Sequence, residues 1–355
     1  MLAELCLGLV MLGITAYAVL GSADFGAGFW DLTAGGAARG GRVRGMIQRS
    51  MSPVWEANHV WLIFVLVIVW TAFPVAFGSI FSNLSIPLFL AAIGIIFRGA
   101  AFALRGQAAT MREARVLGAL FATSSVLIPF CLGAVLGAVA SGRVEVGNAV
   151  ADPFGAWLNP TSIFAGLVGV VTGAHLAAVY LTGDSRRAGL EDLVRAFRAR
   201  ALASGVLAGA VALAGLLVVR GDAPELYDGL TSGAGLGLVI VSGLAGVTTL
   251  ALVAGGRYEL ARAAAAAAVA AVVAGWALAQ SPYLLPPALT LEQAAAADAT
   301  LAAVLIGIGI GLVVLVPSLV LLYRLVLRGV LDQSYEPLDQ RFKPLSASDD
   351  TQPPR

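Results

Sequence analysis

Charge is scarce in this chain. Only 12% of its residues are Asp, Glu, Lys or Arg, about half the share of a soluble domain. Too little charge is present to solvate a globular surface or an extended coil, which excludes soluble and disordered classes. The formal balance is +1, so no basic surplus exists for phosphates, and a nucleic-acid binder is excluded. Cysteine stops at two, Cys6 and Cys131, each inside an apolar run. That rules out a disulfide scaffold and a cysteine-based zinc framework. Histidine also stops at two, His59 and His175, beside five methionines. These are too few axial ligands for a chain of haems.

What is present is apolar. Hydrophobic residues make up 59% of the 355, the mean hydropathy is +0.89, and 42 residues are glycine. Glycine excess in an apolar chain fits membrane helices that pack closely. The fold class is therefore an all-α polytopic membrane protein.

A spanning helix needs about 20 apolar residues. Nine runs qualify: Leu2–Trp30, Val54–Phe77, Leu84–Leu104, Val116–Ala140, Pro160–Leu181, Ala201–Val219, Leu236–Ala254, Ala263–Leu278 and Leu301–Leu325. The first is a true span and not a secretory signal, because Glu4 replaces a basic leader and the run is too long. The transmembrane domain is expected over 1–330. The remainder, 331–355, lacks apolar periodicity and is expected to be a disordered cytoplasmic tail. Asp184–Arg200 suggests a solvated helix, and Ser281–Thr300, with Pro286 and Pro287, a re-entrant or interfacial piece.

The loops after spans one, three, five and seven and the C-terminal end carry 4, 3, 5, 2 and 5 basic residues. The opposite side carries Arg143 and Arg220 alone. Nineteen against two predicts an outside N-terminus and a cytoplasmic C-terminus by the positive-inside rule.

Few ionisable groups lie at bilayer depth, where charge is costly and rarely idle. They are Asp24, Glu56, His59, Arg98 and His175. At about 1.5 Å per residue, Asp24, Glu56 and Arg98 all fall roughly 5–10 Å inside the cytoplasmic ends of the first three spans. Two readings follow. One is a buried ion pair of Arg98 with Asp24 or Glu56 that fixes three helices. The other is a proton-conducting or ligand-binding cluster, since one Arg cannot neutralise two carboxylates. Ser52 and Pro53 fit the cap and first position of span two. At about 100° per residue, Trp55, Glu56 and His59 share one face of that helix. Trp55 alone suits an interfacial anchor, His59 a carbonyl-bonded imidazole, and His175 a structural histidine. The small residues around Asp24, in Gly21-Ser-Ala-Asp-Phe-Gly-Ala-Gly28, permit close helix approach or a kink.

Ala23-Asp-Phe-Gly-Ala-Gly-Phe-Trp30 and Ser52-Pro-Val-Trp-Glu-Ala-Asn-His-Val-Trp-Leu62 resemble the first two helices of subunit II of cytochrome bd-type quinol oxidase. Ala72-Phe-Pro-Val-Ala-Phe77, Phe97-Arg98, Leu158-Asn-Pro160, and Pro317 with Leu321-Leu-Tyr323 are similar to its continuation. The resemblance covers about 1–330 and is most specific in the first 105 residues. It implies a multi-pass bacterial inner-membrane subunit without haem of its own. Its partner, subunit I, would carry haem b and haem d and the quinol site, with oxygen as acceptor, and a small third subunit is an option. By the same resemblance, Asp24, Trp55, Glu56 and Arg98 match positions linked to a cytoplasmic proton path or a bound structural quinone, and Trp61 matches a tryptophan near an oxygen route. Taken with their neighbours in span two, Glu56, Asp24 and His59 are assigned to a proton pathway, and Trp55, Asn58 and Arg98 to a polar cluster or structural quinone. Many members have Asp-Gly where this chain has Glu56-Ala57, and Gln where His59 stands. These departures point to the cyanide-insensitive branch, in which the partner's haem d is replaced by haem b. Two other functions fit the residues: a secondary transporter using the Asp/Glu/Arg cluster as a cation site, for which no inverted repeat is visible, and a structural membrane scaffold.

Overall fold

The computed structural model describes residues 1–51, 55–105, 107–148 and 152–328. The expected cap pair Ser52 and Pro53 and the expected tail 331–355 lie outside the described residues. Among the described residues, nine helices are long and apolar enough to cross a membrane. They are Leu2–Leu32, Trp55–Ala72, Ser85–Arg105, Met111–Ala140, Pro160–Arg187, Glu191–Asp222, Gly233–Ala254, Tyr258–Ala279 and Asp298–Leu325, here spans one to nine.

Three regions differ in kind from the sequence reading. Span two stops at Ala72, and a separate helix runs from Pro74 to Asn83. Phe73 is driven out of helical geometry, with φ −134° and ψ 58°, because a proline ring clashes with a helical predecessor. Asp184–Arg200 is not a free-standing helix. Span five runs on to Arg187, and span six begins at Glu191 after a turn at Gly189, whose φ is +70°. The charged residues thus extend two spanning helices beyond their apolar length. Finally, 281–300 contains a small hairpin, β1 Tyr283–Leu285 and β2 Leu289–Thr290, followed by the helix Leu291–Ala294. That helix starts with a capping box between Thr290 and Gln293. Leu285 and Leu289 are buried against the end of the bundle, and the Ala296 N–H donates to the Ala72 carbonyl at 2.8 Å.

Spans four and five are the most buried. The second half of span one, Ser22–Leu32, packs between them. Glycine makes this possible: a Cβ on Gly26 would sit 1.8 Å from the Gly173 carbonyl oxygen of span five. One on Gly28 would sit 2.2 Å from Ser125 Oγ of span four. Dispersion contacts between touching backbones replace the hydrophobic drive that lipid removes. Span nine lies at the rim, against spans one and two.

The two ends of the bundle differ in chemistry. At one end Asp222 accepts from Arg143 Nη2 at 2.7 Å and from the Thr161 hydroxyl at 2.6 Å, tying spans four, five and six. The other end is rich in arginine. There the helix Ala37–Met51 buries Val43, Met46, Ile47 and Met51 against the bundle.

Candidate functional site

Span one is not a uniform α-helix. Tyr17–Gly21 forms a π turn between Leu2–Ala16 and Ser22–Leu32. Such insertions of one residue are frequent at functional sites. Asp24 follows directly, in the small-residue stretch that allows the close approach described above. Its carboxylate is 7% exposed and turns toward span two, where Asn58 Nδ2 donates to Oδ2 at 2.5 Å. The other end of the Asn58 amide accepts from the Tyr323 hydroxyl of span nine at 3.2 Å. Asp24, Asn58 and Tyr323 therefore form one hydrogen-bonded chain through spans one, two and nine.

Arg98 is 1% exposed. Its guanidinium lies between Phe25, 5.1 Å to the centroid, and Phe121, 5.0 Å. Nε donates to Ser125 Oγ at 3.1 Å, and Nη2 to the main-chain carbonyl of Asp24 at 3.2 Å. The ring faces and neutral acceptors substitute for water around the charge. The expected ion pair of Arg98 with Asp24 or Glu56 is not formed among the described residues. The guanidinium is aimed at the backbone of span one and the carboxylate at span two.

Glu56 is exposed and has no partner among the described residues. The helix explains this. Two residues turn the chain by about 200°, so with Asn58 facing the bundle Glu56 faces away. His59 falls between them, half-buried, with its Nδ1 3.3 Å from the Tyr17 hydroxyl. Phe25 and Trp55 flank its ring at 6.0 and 6.3 Å. Trp55 packs on Phe102 at 5.3 Å. Trp61 stands apart from the cluster, with its ring against Phe64 at 6.1 Å. The structure thus gathers Asp24, Asn58 and Arg98, sets His59 and Trp55 beside them, and leaves Glu56 and Trp61 outside.

Tyr17, Ser125 and Tyr323 complete the cluster and were not legible in the sequence, since nothing marks a tyrosine or serine as facing a distant acid. A second buried group went unread in the sequence, although its spacing carries a signal. Asp31 stands seven residues after Asp24, as Arg105 does after Arg98, which is about two helical turns on each helix. Asp31 is 3% exposed and accepts from Arg105 Nη1 at 2.8 Å and from Arg44 Nε at 2.7 Å. Phe121 lies between the layers, 5.9 Å from the Arg105 guanidinium.

His175 does not suit a resident haem. Among the described residues no group of three or more His, Cys, Asp or Glu side chains converges. His175 Nδ1 is engaged with the Ala201 carbonyl at 3.1 Å. A Cβ on Gly205 would come within 2.7 Å of its Cε1, so no macrocycle fits beside it. A quinone headgroup on Asn58 and Arg98 would have to displace the hydrogen bonds both already make, and Trp55 alone remains open.

The family model for cytochrome bd terminal oxidase subunit II matches residues 2–326. A Bacillus subtilis (strain 168) protein with the provisional name of cytochrome bd menaquinol oxidase subunit II is 26% identical over 221 residues, 60% of this chain and 61% of its own. A cytochrome bd ubiquinol oxidase subunit 2 from the same organism is 29% identical over 90 residues, 25% of this chain and 27% of its own. The chain thus spans less than two thirds of the length of the curated relatives it matches. A chain in the solved structure of bd oxidase from Geobacillus thermodenitrificans superposes with a TM-score of 0.77 at 28% identity. The match covers 92% of this chain and 99% of that one.

Proposed function

Since the chain belongs to the cytochrome bd terminal oxidase subunit II family, we propose that it serves as the second subunit of a quinol:oxygen oxidoreductase. The nine apolar helices among its described residues and its family make it a multi-pass protein of the bacterial inner membrane. In the proposed complex the haems, b and d or b alone, and the quinol site belong to a haem-bearing subunit I. The haem supplies the electron transfer to oxygen. This chain supports assembly of that partner and access for protons and oxygen. The transporter reading has no observation in its favour.

The observation that carries the proton role is the Asp24–Asn58–Tyr323 chain. A buried carboxylate whose oxygens meet an amide and no guanidinium can hold a proton or release it. Each link also works in either sense. Asn58 donates to the ionised acid through Nδ2, and with its amide reversed it accepts from the protonated acid through Oδ1. Tyr323, donor and acceptor at once, matches both settings. His59, bonded to Tyr17, forms a second polar step on the side toward Glu56. Glu56, exposed at the edge, is the outer proton acceptor. Trp61 lines the oxygen route proposed along span two, and Trp55 offers the remaining contact for a quinone. The 19-to-2 arginine and lysine bias supports a cytoplasmic position for the arginine-rich end, and hence proton uptake from the cytoplasm.

The test is quinol-oxidase turnover, normalised to haem, in the complex carrying Asp24→Asn. Assembly and haem content should persist while turnover falls by roughly a hundredfold, the scale of a lost proton-transfer group. Glu56→Gln, at the exposed edge, should slow turnover less. Wild-type turnover in Asp24→Asn would reduce Asp24 to a packing residue.

A further inference from the structure

At the arginine-rich end, the turn after span five and the turn between spans seven and eight flank an open, shallow cavity of about 440 Å³. Its walls include Arg186, Arg187, Arg257, Glu259 and Leu260, three guanidinium groups against one carboxylate. The carboxylate is already used. Glu259 accepts from Arg187 at 2.6 Å, and Asp184 behind it is paired with both Arg187 and Arg262. Arg186 and Arg257 are left with no carboxylate among the described residues. Arg186 packs over the Tyr258 ring at 5.6 Å and reaches the Gly256 carbonyl at 3.5 Å. These contacts hold the guanidinium at the cavity without neutralising it. Gly256, with φ +72°, makes the tight turn that brings Arg257 back to the same opening. The first turn of span eight ends here with no side-chain cap, so its amide dipoles add to the positive field.

We infer that this cavity binds the phosphodiester headgroup of an anionic phospholipid. The shape of its surroundings selects a lipid over a free anion. Leu260, 49% exposed, forms an apolar wall beside the cations. The helices that descend from the cavity, spans seven and eight, are among the less buried of the bundle, at 11% and 22%. A headgroup seated on Arg186 and Arg257 therefore leaves its acyl chains against apolar helix surface. Basic pockets between helix ends hold lipid headgroups in this way. The inference does not depend on the proton role proposed above.

The complex, purified from membranes and stripped of lipid, is titrated with phosphatidylglycerol or phosphatidylcholine and read by native mass spectrometry. Wild type should take up one phosphatidylglycerol that Arg186→Gln with Arg257→Gln binds roughly thirtyfold more weakly, about 2 kcal/mol at tenfold per 1.4 kcal/mol. Phosphatidylcholine uptake should be unchanged. Arg112→Gln with Arg115→Gln, which removes the same charge from exposed positions at the same end, should leave the strong site intact. Equal phosphatidylglycerol binding in wild type and the Arg186/Arg257 variant, or an equal loss in the Arg112/Arg115 variant, would overturn the site. Displacement of the lipid by millimolar inorganic phosphate would overturn its assignment to a lipid and leave a free-anion site.

Discussion

Arg98 reaches Asp24 through the main chain, with Nη2 on the carbonyl oxygen at 3.2 Å, while the Asp24 carboxylate is held by Asn58. The arginine therefore fixes the fold of span one and leaves the acid available. Arg98→Ala would remove the donor to Ser125 Oγ, which keeps its own bond to the Phe121 carbonyl at 2.7 Å, and the donor to the Asp24 carbonyl, and would open a cavity between Phe25 and Phe121. We expect a loss of about 3 kcal/mol or more, read as a lower Tm of the purified complex and less chain in membranes. Arg98→Lys should recover part of that loss, because it keeps the charge but not the planar fork. An unchanged Tm in Arg98→Ala would show that the guanidinium contributes little to the packing.

Gly26→Ala tests the contact between spans one and five. The added methyl would meet the Gly173 carbonyl, which is backbone and cannot rotate aside. Overpacking costs about 1–3 kcal/mol, and a backbone clash belongs at the upper end. Gly8→Ala, with nothing within 4 Å, is the matched control. The Tm of the first should drop and that of the second should hold. Equal Tm values would mean that the two helices are farther apart than described.

Asp31 bridges two arginines from two different elements, Arg44 and Arg105. Removing one partner of a buried pair costs about 3–5 kcal/mol, so Asp31→Ala should destabilise strongly. A double-mutant cycle with Arg105→Ala should show coupling above about 1 kcal/mol. Additive losses would place the Asp31 effect elsewhere.

The orientation follows from loop charge and is checked by reporter fusions. Fusions at Gly189 and Gly256, in the turns of the arginine-rich end, should report cytoplasmic. A fusion at Gly147, at the opposite end, should report periplasmic. The reverse pattern would also reverse the direction of proton uptake proposed for Asp24.

The number and kind of the spans were legible because lipid imposes a length and a composition that few other structures satisfy. Their ends were less so. The Phe73–Pro74 break hides in an apolar run, and charged Glu191–Arg200 continues a helix beyond the membrane without any change of periodicity. Asp24 and Arg98 announced themselves by being charged where charge is expensive. Asp31 and Arg105 carried the same signal two turns further along, at the edge where charge is ordinary, so the pattern was easily read as loop.

Partnership is where sequence stops. It placed Asp24, Glu56 and Arg98 at one depth, and depth depends only on counting residues along a helix. Whether groups at one depth meet depends on the rotation of each helix about its axis, which is set by packing. Glycines at 26 and 28 let span one close on its neighbours, and the π turn at Tyr17–Gly21 precedes the segment that carries Asp24. Span two turns Asn58 inward and Glu56 outward. The acid found an amide and a tyrosine from 265 residues further along the chain than that amide, and no local pattern in the sequence encodes a contact of that range.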